Sequence, residues 1–408
     1  MSGVARRPGT GVRLLLFVLA VSGGLALLLL GFPPAAPDRL PVLIVALVLA
    51  VVSAGRGDRG LAAFCFLFPC TGLMVRLFGG SDPIVWPVLL FAGFAAGWTF
   101  RFIYDFESQE EPSSAGAPLA ALVSVWILGT VLAIARAHTL WALWHGLAGR
   151  AVNVNGLSEA VAMRESTFAL SVLGAGAAFF FLLRRSGGQA RRRAASWALY
   201  GVGVSAAASV LEALAVLPPE KSPYWRMSGR LSGGAADPNS LGLLCGLALV
   251  YAVVAFGRER GRRGLLGLLL ALFVAGIFLS GSRSAFLLVL FAAGSLVVAR
   301  GIPARLRLAV AVFGAVAVLA AALLYSRSGP GTLGRRLAQT FDVSLPVEQR
   351  VSARPLLWSC AQRMFAADPL SGVGVGAFSW RLPDALAQIN VRLPARDNPG
   401  SGYVQALA

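Results

Sequence analysis

The chain has 408 residues, of which 57% are hydrophobic and only 13% charged, and its mean hydropathy is +0.73. Soluble domains are about 45–50% apolar and about 25% charged, so this composition excludes a water-soluble globule. The formal net charge of +18 would suit nucleic-acid binding, but the basic residues sit in short clusters between apolar runs. There they act as topogenic signals of a membrane protein, and no nucleic-acid partner is expected.

Taken in chain order, the apolar runs predict helices at 12–30, 40–54, 61–77, 84–104, 118–135, 166–183, 195–217, 239–256, 264–280, 284–299 and 306–325. The first run follows Arg6 and Arg7 as a signal peptide's would. It is too long for an h-region and leads into Phe32-Pro33-Pro34 rather than a small-residue cleavage site, so it reads as a retained first helix. The second run is short for a span. The stretch 137–152, with Trp141, Trp144 and His145, reads as interfacial and amphipathic rather than as a crossing. The expected fold is all-α: a polytopic bundle of about 11–12 transmembrane helices with a large helical periplasmic loop.

With the N-terminus in the cytoplasm, the densest arginine clusters, Arg191 to Arg193 and Arg258 to Arg263, fall on the inner side, as the positive-inside rule requires. Eleven crossings then place everything after residue 325 on the outer face of the membrane. That outer segment, about 75 residues and mostly polar, is too long for a passive connector. It includes a stretch with helical spacing at 355–367 and a turn at Asp368-Pro369. Residues 403–408 read as the start of a further helix that is cut short, so the native chain is expected to continue. Three regions follow: N-terminal transmembrane helices at 1–220, C-terminal transmembrane helices with arginine motifs at 221–325, and the periplasmic loop with a helix start at 326–408. The four cysteines form no CxxC pair or disulfide framework and read as structural.

Four groups of residues outside the membrane core are candidates for chemistry. The first is the loop from Tyr224 to Asn239, which carries Arg226 and Arg230, glycines at 229, 233 and 234, and Asp237-Pro238. The glycines let backbone amides approach a ligand, Asp237 is a helix N-cap with proline at the first helical position, and the arginines suit a lipid phosphate or a plain headgroup contact. The second is Ser280-Gly281-Ser282-Arg283-Ser284, which puts an arginine and three hydroxyls at a helix N-terminus near hydrocarbon. The third runs from Arg350 and Arg354 through Trp358 to a glycine run at 372–376, which lacks a dinucleotide-binding context and reads as a tight turn. The fourth is Arg396-Asp397-Asn398-Pro399, where Asp397 is either an N-cap or a general base.

These residues resemble the superfamily of O-antigen ligases and polymerases of the bacterial envelope. The likeness is carried by Arg230…Gly233 leading to Asp237-Pro238-Asn239, by Ser282-Arg283-Ser284-Ala285, and by Arg354…Trp358…Asp368-Pro369…Gly372-Val373-Gly374-Val375-Gly376-Ala377-Phe378. It covers roughly residues 225–408, and residues 1–220 share only hydrophobic helices. One position departs from the pattern. The histidine that closes the family's periplasmic loop is matched by Asp397, and the only histidines, His138 and His145, lie elsewhere.

The resemblance implies transfer of a glycan from a polyprenyl diphosphate to an acceptor sugar hydroxyl at the periplasmic face of the bacterial inner membrane, with membrane lipids and a glycan or lipid-glycan acceptor as further partners. Arg230 and Arg283 would stabilise the departing diphosphate, and Asp397 would take the acceptor's proton. Arg226, Arg350, Arg354, Asn239 and Ser282 would contact substrate. No cofactor is implied, and no carboxylate or histidine cluster suggests a metal, so the chemistry is expected to be metal-independent. The alternative is a transporter or flippase of lipid-linked glycans. It would carry charges along several helix interiors, where Glu212 is the main example here.

Overall fold

The computed structural model describes residues 40–78, 85–104, 186–218, 229–298, 333–345 and 354–367, with isolated positions between 176 and 184 and between 369 and 388. The predicted helices at 12–30, 118–135 and 306–325, most of 166–183, and the 137–152 stretch with its histidines lie outside the described residues.

All regular structure among the described residues is helical. The helices are α1 (Leu40–Gly55), α2 (Gly57–Leu67), α3 (Thr71–Phe78), α4 (Val85–Tyr104), α5 (Gly188–Ala213), α6 (Pro238–Arg258), α7 (Arg263–Ser280), α8 (Arg283–Val298), α9 (Leu333–Phe341) and α10 (Arg354–Ala367). Among the described residues, four helical segments have the length and apolarity to cross a bilayer: Gly57–Phe78, Gly188–Ala213, Pro238–Gly257 and Arg263–Ser280. Apolar helices satisfy every backbone group internally, which is why a chain of this composition builds them in lipid.

Two predicted helices differ in detail. The run predicted at 61–77 begins earlier, at Gly57, and tightens into a 3-10 turn at Phe68–Cys70 before continuing as α3. Pro69 sits in that turn, where a missing N–H and a fixed φ favour tighter winding. The run predicted at 195–217 begins at Gly188, so Arg191 to Arg193 form part of α5 rather than the loop before it. The helix stops at Ala213, beyond which Ala215 adopts φ +58°.

Contacts divide the chain into two compact units. One takes in the described parts of 35–106 and 186–342, the other those of 107–185 and 343–408. In the first unit, α1 and α4 pack at close range. A Cβ on Gly93 would meet Ala46 O at 2.2 Å, and one on Gly97 would meet Ala50 O at 2.0 Å. Small residues four apart are how membrane helices come together without a hydrophobic drive between them. α2 and α3 run parallel to α5: Asp58 pairs with Arg193 at one end and Arg76 with Glu212 at the other. α5, α6, α7 and α8 share a core that includes Leu199, Leu241, Cys245 and Phe273, with Leu333 of α9 at its edge. On the outside of α6, Leu243, Leu247 and Tyr251 recur every fourth residue and are exposed, a face suited to hydrocarbon.

In the second unit, α10 turns Leu357, Cys360, Ala361 and Met364 onto Phe378, Leu382, Ala385 and Leu386. The helical spacing predicted at 355–367 is the basis of that face. Burial pushes the Cys360 thiol above its ordinary range, against the pull of the Arg363 guanidinium, as expected of a structural cysteine.

Candidate functional site

The turn between α7 and α8 organises one end of the first unit. α7 closes at Gly281, whose φ of +60° is a left-handed conformation that glycine adopts without strain. Two residues later α8 begins. Ser282 Oγ accepts from the Ala285 amide at 3.4 Å, and Ser280 Oγ accepts from the Ser282 amide at 3.2 Å while donating to Ile277 O at 2.8 Å. Both serines are buried, so their hydroxyls hold the turn and cap α8. Arg283, the first residue of α8, is half-buried.

The last carbonyls of a helix have no partner within it, and at α7 they are taken by groups from two other segments. Arg230 Nε donates to Ser280 O at 2.8 Å, and Arg336 Nη1 donates to Gly281 O at 2.7 Å. The Leu231 amide donates to Leu279 O at 3.1 Å. Cations are favoured at a helix C-terminus, so both guanidinium groups also answer the dipole of α7. Arg230 is only 6% exposed, and its Nη2 donates to Asn239 Oδ1 at 2.6 Å.

The loop that carries Arg230 is fixed from below. Asp237 caps α6 as the sequence predicts: Oδ1 accepts from the Asn239 and Ser240 amides at 2.8 and 3.2 Å, and Oδ2 accepts from the Ser240 hydroxyl. Gly233 has φ +56°, and a Cβ there would meet Ser205 O at 2.4 Å. The Gly234 amide donates to Ser205 O at 3.0 Å, and its carbonyl accepts from the Leu73 amide at 3.1 Å. The glycines in this loop therefore allow backbone to pack directly on α5 and α3.

α9 completes the arrangement and is absent from the predicted helices. Its Leu333 is buried and Leu337 packs on the same core, which turns Arg336 toward the turn. Arg283 Nη1 donates to Thr340 Oγ1 at 2.7 Å, and that hydroxyl donates to Arg336 O at 2.9 Å. Leucine at 333 and 337 with phenylalanine at 341 was the available signal, since it repeats every fourth residue in an otherwise polar stretch.

A second polar group sits deeper at the same end. Arg76 Nη1 lies 3.0 Å from Glu212 Oε2, with the side chains 8% and 3% exposed. Glu212 stands out in the sequence as a charge inside an apolar run. Its partner, 136 positions earlier, has no local signal.

Arg230, Arg283, Asn239 and Ser282 therefore meet around residues 280–283, joined by the unpredicted Arg336 and Thr340. Arg354 is the first residue of α10, in the second unit. Arg226, Arg350 and Asp397 lie outside the described residues. Buried Arg230, half-buried Arg283 and Arg336, and a helix N-terminus around one turn form a strongly cationic cluster, suited to an anion that carries more than one charge. Among the described residues, no group of three His, Cys, Asp or Glu could hold a metal ion.

Residues 266–408 match the O-antigen ligase family. No curated protein and no solved structure matches the chain. The matched segment holds α8, α9, α10 and most of α7, and so includes Arg283 and Arg336. Glycosyltransferase-type chemistry on lipid-linked glycans in a membrane goes with that family. Through residues 266–408 this helical membrane bundle is thus similar to the O-antigen ligase family.

Proposed function

We propose that the protein transfers a glycan from a polyprenyl diphosphate to an acceptor sugar hydroxyl, at the periplasmic face of the inner membrane. The observation that carries this reading is the gathering of Arg230, Arg283 and Arg336 on the 280–283 turn. As the glycosidic bond to the diphosphate breaks, negative charge builds on the leaving group. Preorganised cations and helix-terminal amides favour that charge more than the ground state. Asn239 holds Arg230 in place, and Thr340 does the same for Arg283. Asp397 is the proposed base for the acceptor hydroxyl, in place of the family's histidine, with Arg226, Arg350 and Arg354 as further substrate contacts. The proposed chemistry uses no metal.

The orientation has its own support. Exposed Arg56, Arg59, Arg191, Arg192, Arg193, Arg262 and Arg263 crowd the end opposite the turn, which supports a cytoplasmic side for that end under the positive-inside rule. Transport of the same glycans is less well supported, because the buried Arg76–Glu212 pair stands at the end of its helices and the other buried polar residues of the described helices are serines and a threonine.

The test is turnover by purified protein supplied with a polyprenyl-diphosphate glycan and an acceptor. Wild type should release polyprenyl diphosphate, and Arg230→Ala, Arg283→Ala and Asp397→Asn should each slow release about a hundredfold or more. Release at the wild-type rate in all three variants would overturn the assignment. A ladder of products identifies a polymerase, and a single addition per acceptor a ligase.

A further inference from the structure

Arg76 stands in the last turn of α3, outside the segment that matches the family, and its guanidinium ties together three separate places in the chain. Nη1 pairs with Glu212 Oε2 at 3.0 Å, near the end of α5. Nη1 also donates to Pro218 O at 3.4 Å, and Nη2 donates to Ser232 Oγ at 2.9 Å. Pro218 follows α5 and Ser232 lies two residues beyond Arg230, so both ends of the 218–232 connection are held by one planar group. Ser232 is 1% exposed, and the Arg76 and Glu212 side chains are more than nine-tenths buried. A buried ion pair costs desolvation that the same volume of apolar side chains would not, so a gain in stability alone does not account for it. A guanidinium can serve two acceptors in fixed geometry because its donors form a rigid fork, which a lysine ammonium lacks.

We infer that Arg76, oriented by Glu212, is a positioning residue for the transfer reaction. It anchors the base of the 218–232 connection and thereby sets where Arg230 meets the α7–α8 turn. The inference rests on the reading of that turn as the site of the donor diphosphate. Loop and turn are joined directly, through Arg230 to Ser280 O and the Leu231 amide to Leu279 O, so slack at Ser232 is passed to the turn within two residues.

Three variants of the full chain in lipid nanodiscs test it: Arg76→Lys, Ser232→Ala, and the double substitution Arg76→Leu with Glu212→Leu. Ser232→Ala leaves the ion pair intact, and the double substitution removes both charges of the pair together, so both should fold. Hydrogen exchange of peptides spanning 229–236, the thermal midpoint, and kcat and KM for a polyprenyl-diphosphate glycan are measured together. All three variants should exchange about tenfold faster over 229–236. Ser232→Ala and the double variant should keep the wild-type midpoint. kcat should fall about tenfold or more while KM changes less than about twofold, as for a contact that acts in the transition state. Wild-type exchange in every variant overturns the anchoring, and a loosened loop with wild-type kcat reduces the pair to a staple of the fold. Loosened loops in a protein whose wild type turns over no donor support the anchoring of Arg230 and remove the reaction assigned to the turn.

Discussion

Asp237 shows how much of a polar cluster near a candidate site is architecture. Its carboxylate is occupied by two amides and a hydroxyl at the start of α6, leaving it a cap rather than a base. Asp237→Ala should therefore cost about 1 kcal/mol of stability, seen as a lower thermal midpoint, with turnover per folded molecule close to wild type. A loss of turnover without a loss of stability would instead put that carboxylate in the chemistry. Asp237, Arg230, Asn239 and Arg283 are legible in the sequence because glycines, proline and short polar residues crowd around them between apolar runs. Their pairings are not, since Arg230 bonds Ser280 O across fifty positions and Arg283 bonds Thr340 across fifty-seven. Arg76 is the extreme case, because an arginine at the end of an apolar run looks like an interfacial anchor until Glu212 is seen beside it.

Hydropathy located the apolar helices well because the length of a span is fixed by the bilayer, and α1, α4, α6, α7 and α8 fall within a few residues of their predicted bounds. It overlooked the break at Pro69 and the short amphipathic α9, where the apolar signal is either uninterrupted or confined to one face. Packing between elements leaves a fainter trace, and Gly93 with Gly97 is the clearest instance. α4 lies so close to α1 at these glycines that any side chain at 97 must displace the backbone of Ala50. Gly97→Leu should separate the two helices and destabilise the bundle by about 3 kcal/mol or more, measured as a lower midpoint and lost monodispersity in detergent. A variant that melts like wild type would show that the α1–α4 contact is dispensable.

Across the described part of the first unit, charge is divided between two ends. One exposes arginines on α5 and around α2 and α7, and the other gathers Arg230, Arg283 and Arg336 against a helix turn and holds the buried Arg76–Glu212 pair. The first arrangement suits a membrane protein held in one orientation, and under the proposed function the second would bind an anion. The proposal that a polyprenyl diphosphate is the anion is tested most directly by binding. Undecaprenyl diphosphate and undecaprenyl monophosphate should be titrated in nanodiscs against wild type and Arg283→Ala. A charge-assisted contact contributes about 1.5–3 kcal/mol, so the variant should bind the diphosphate about tenfold or more weakly and lose the wild type's preference for it over the monophosphate. Equal affinity of both proteins for both lipids would contradict the account.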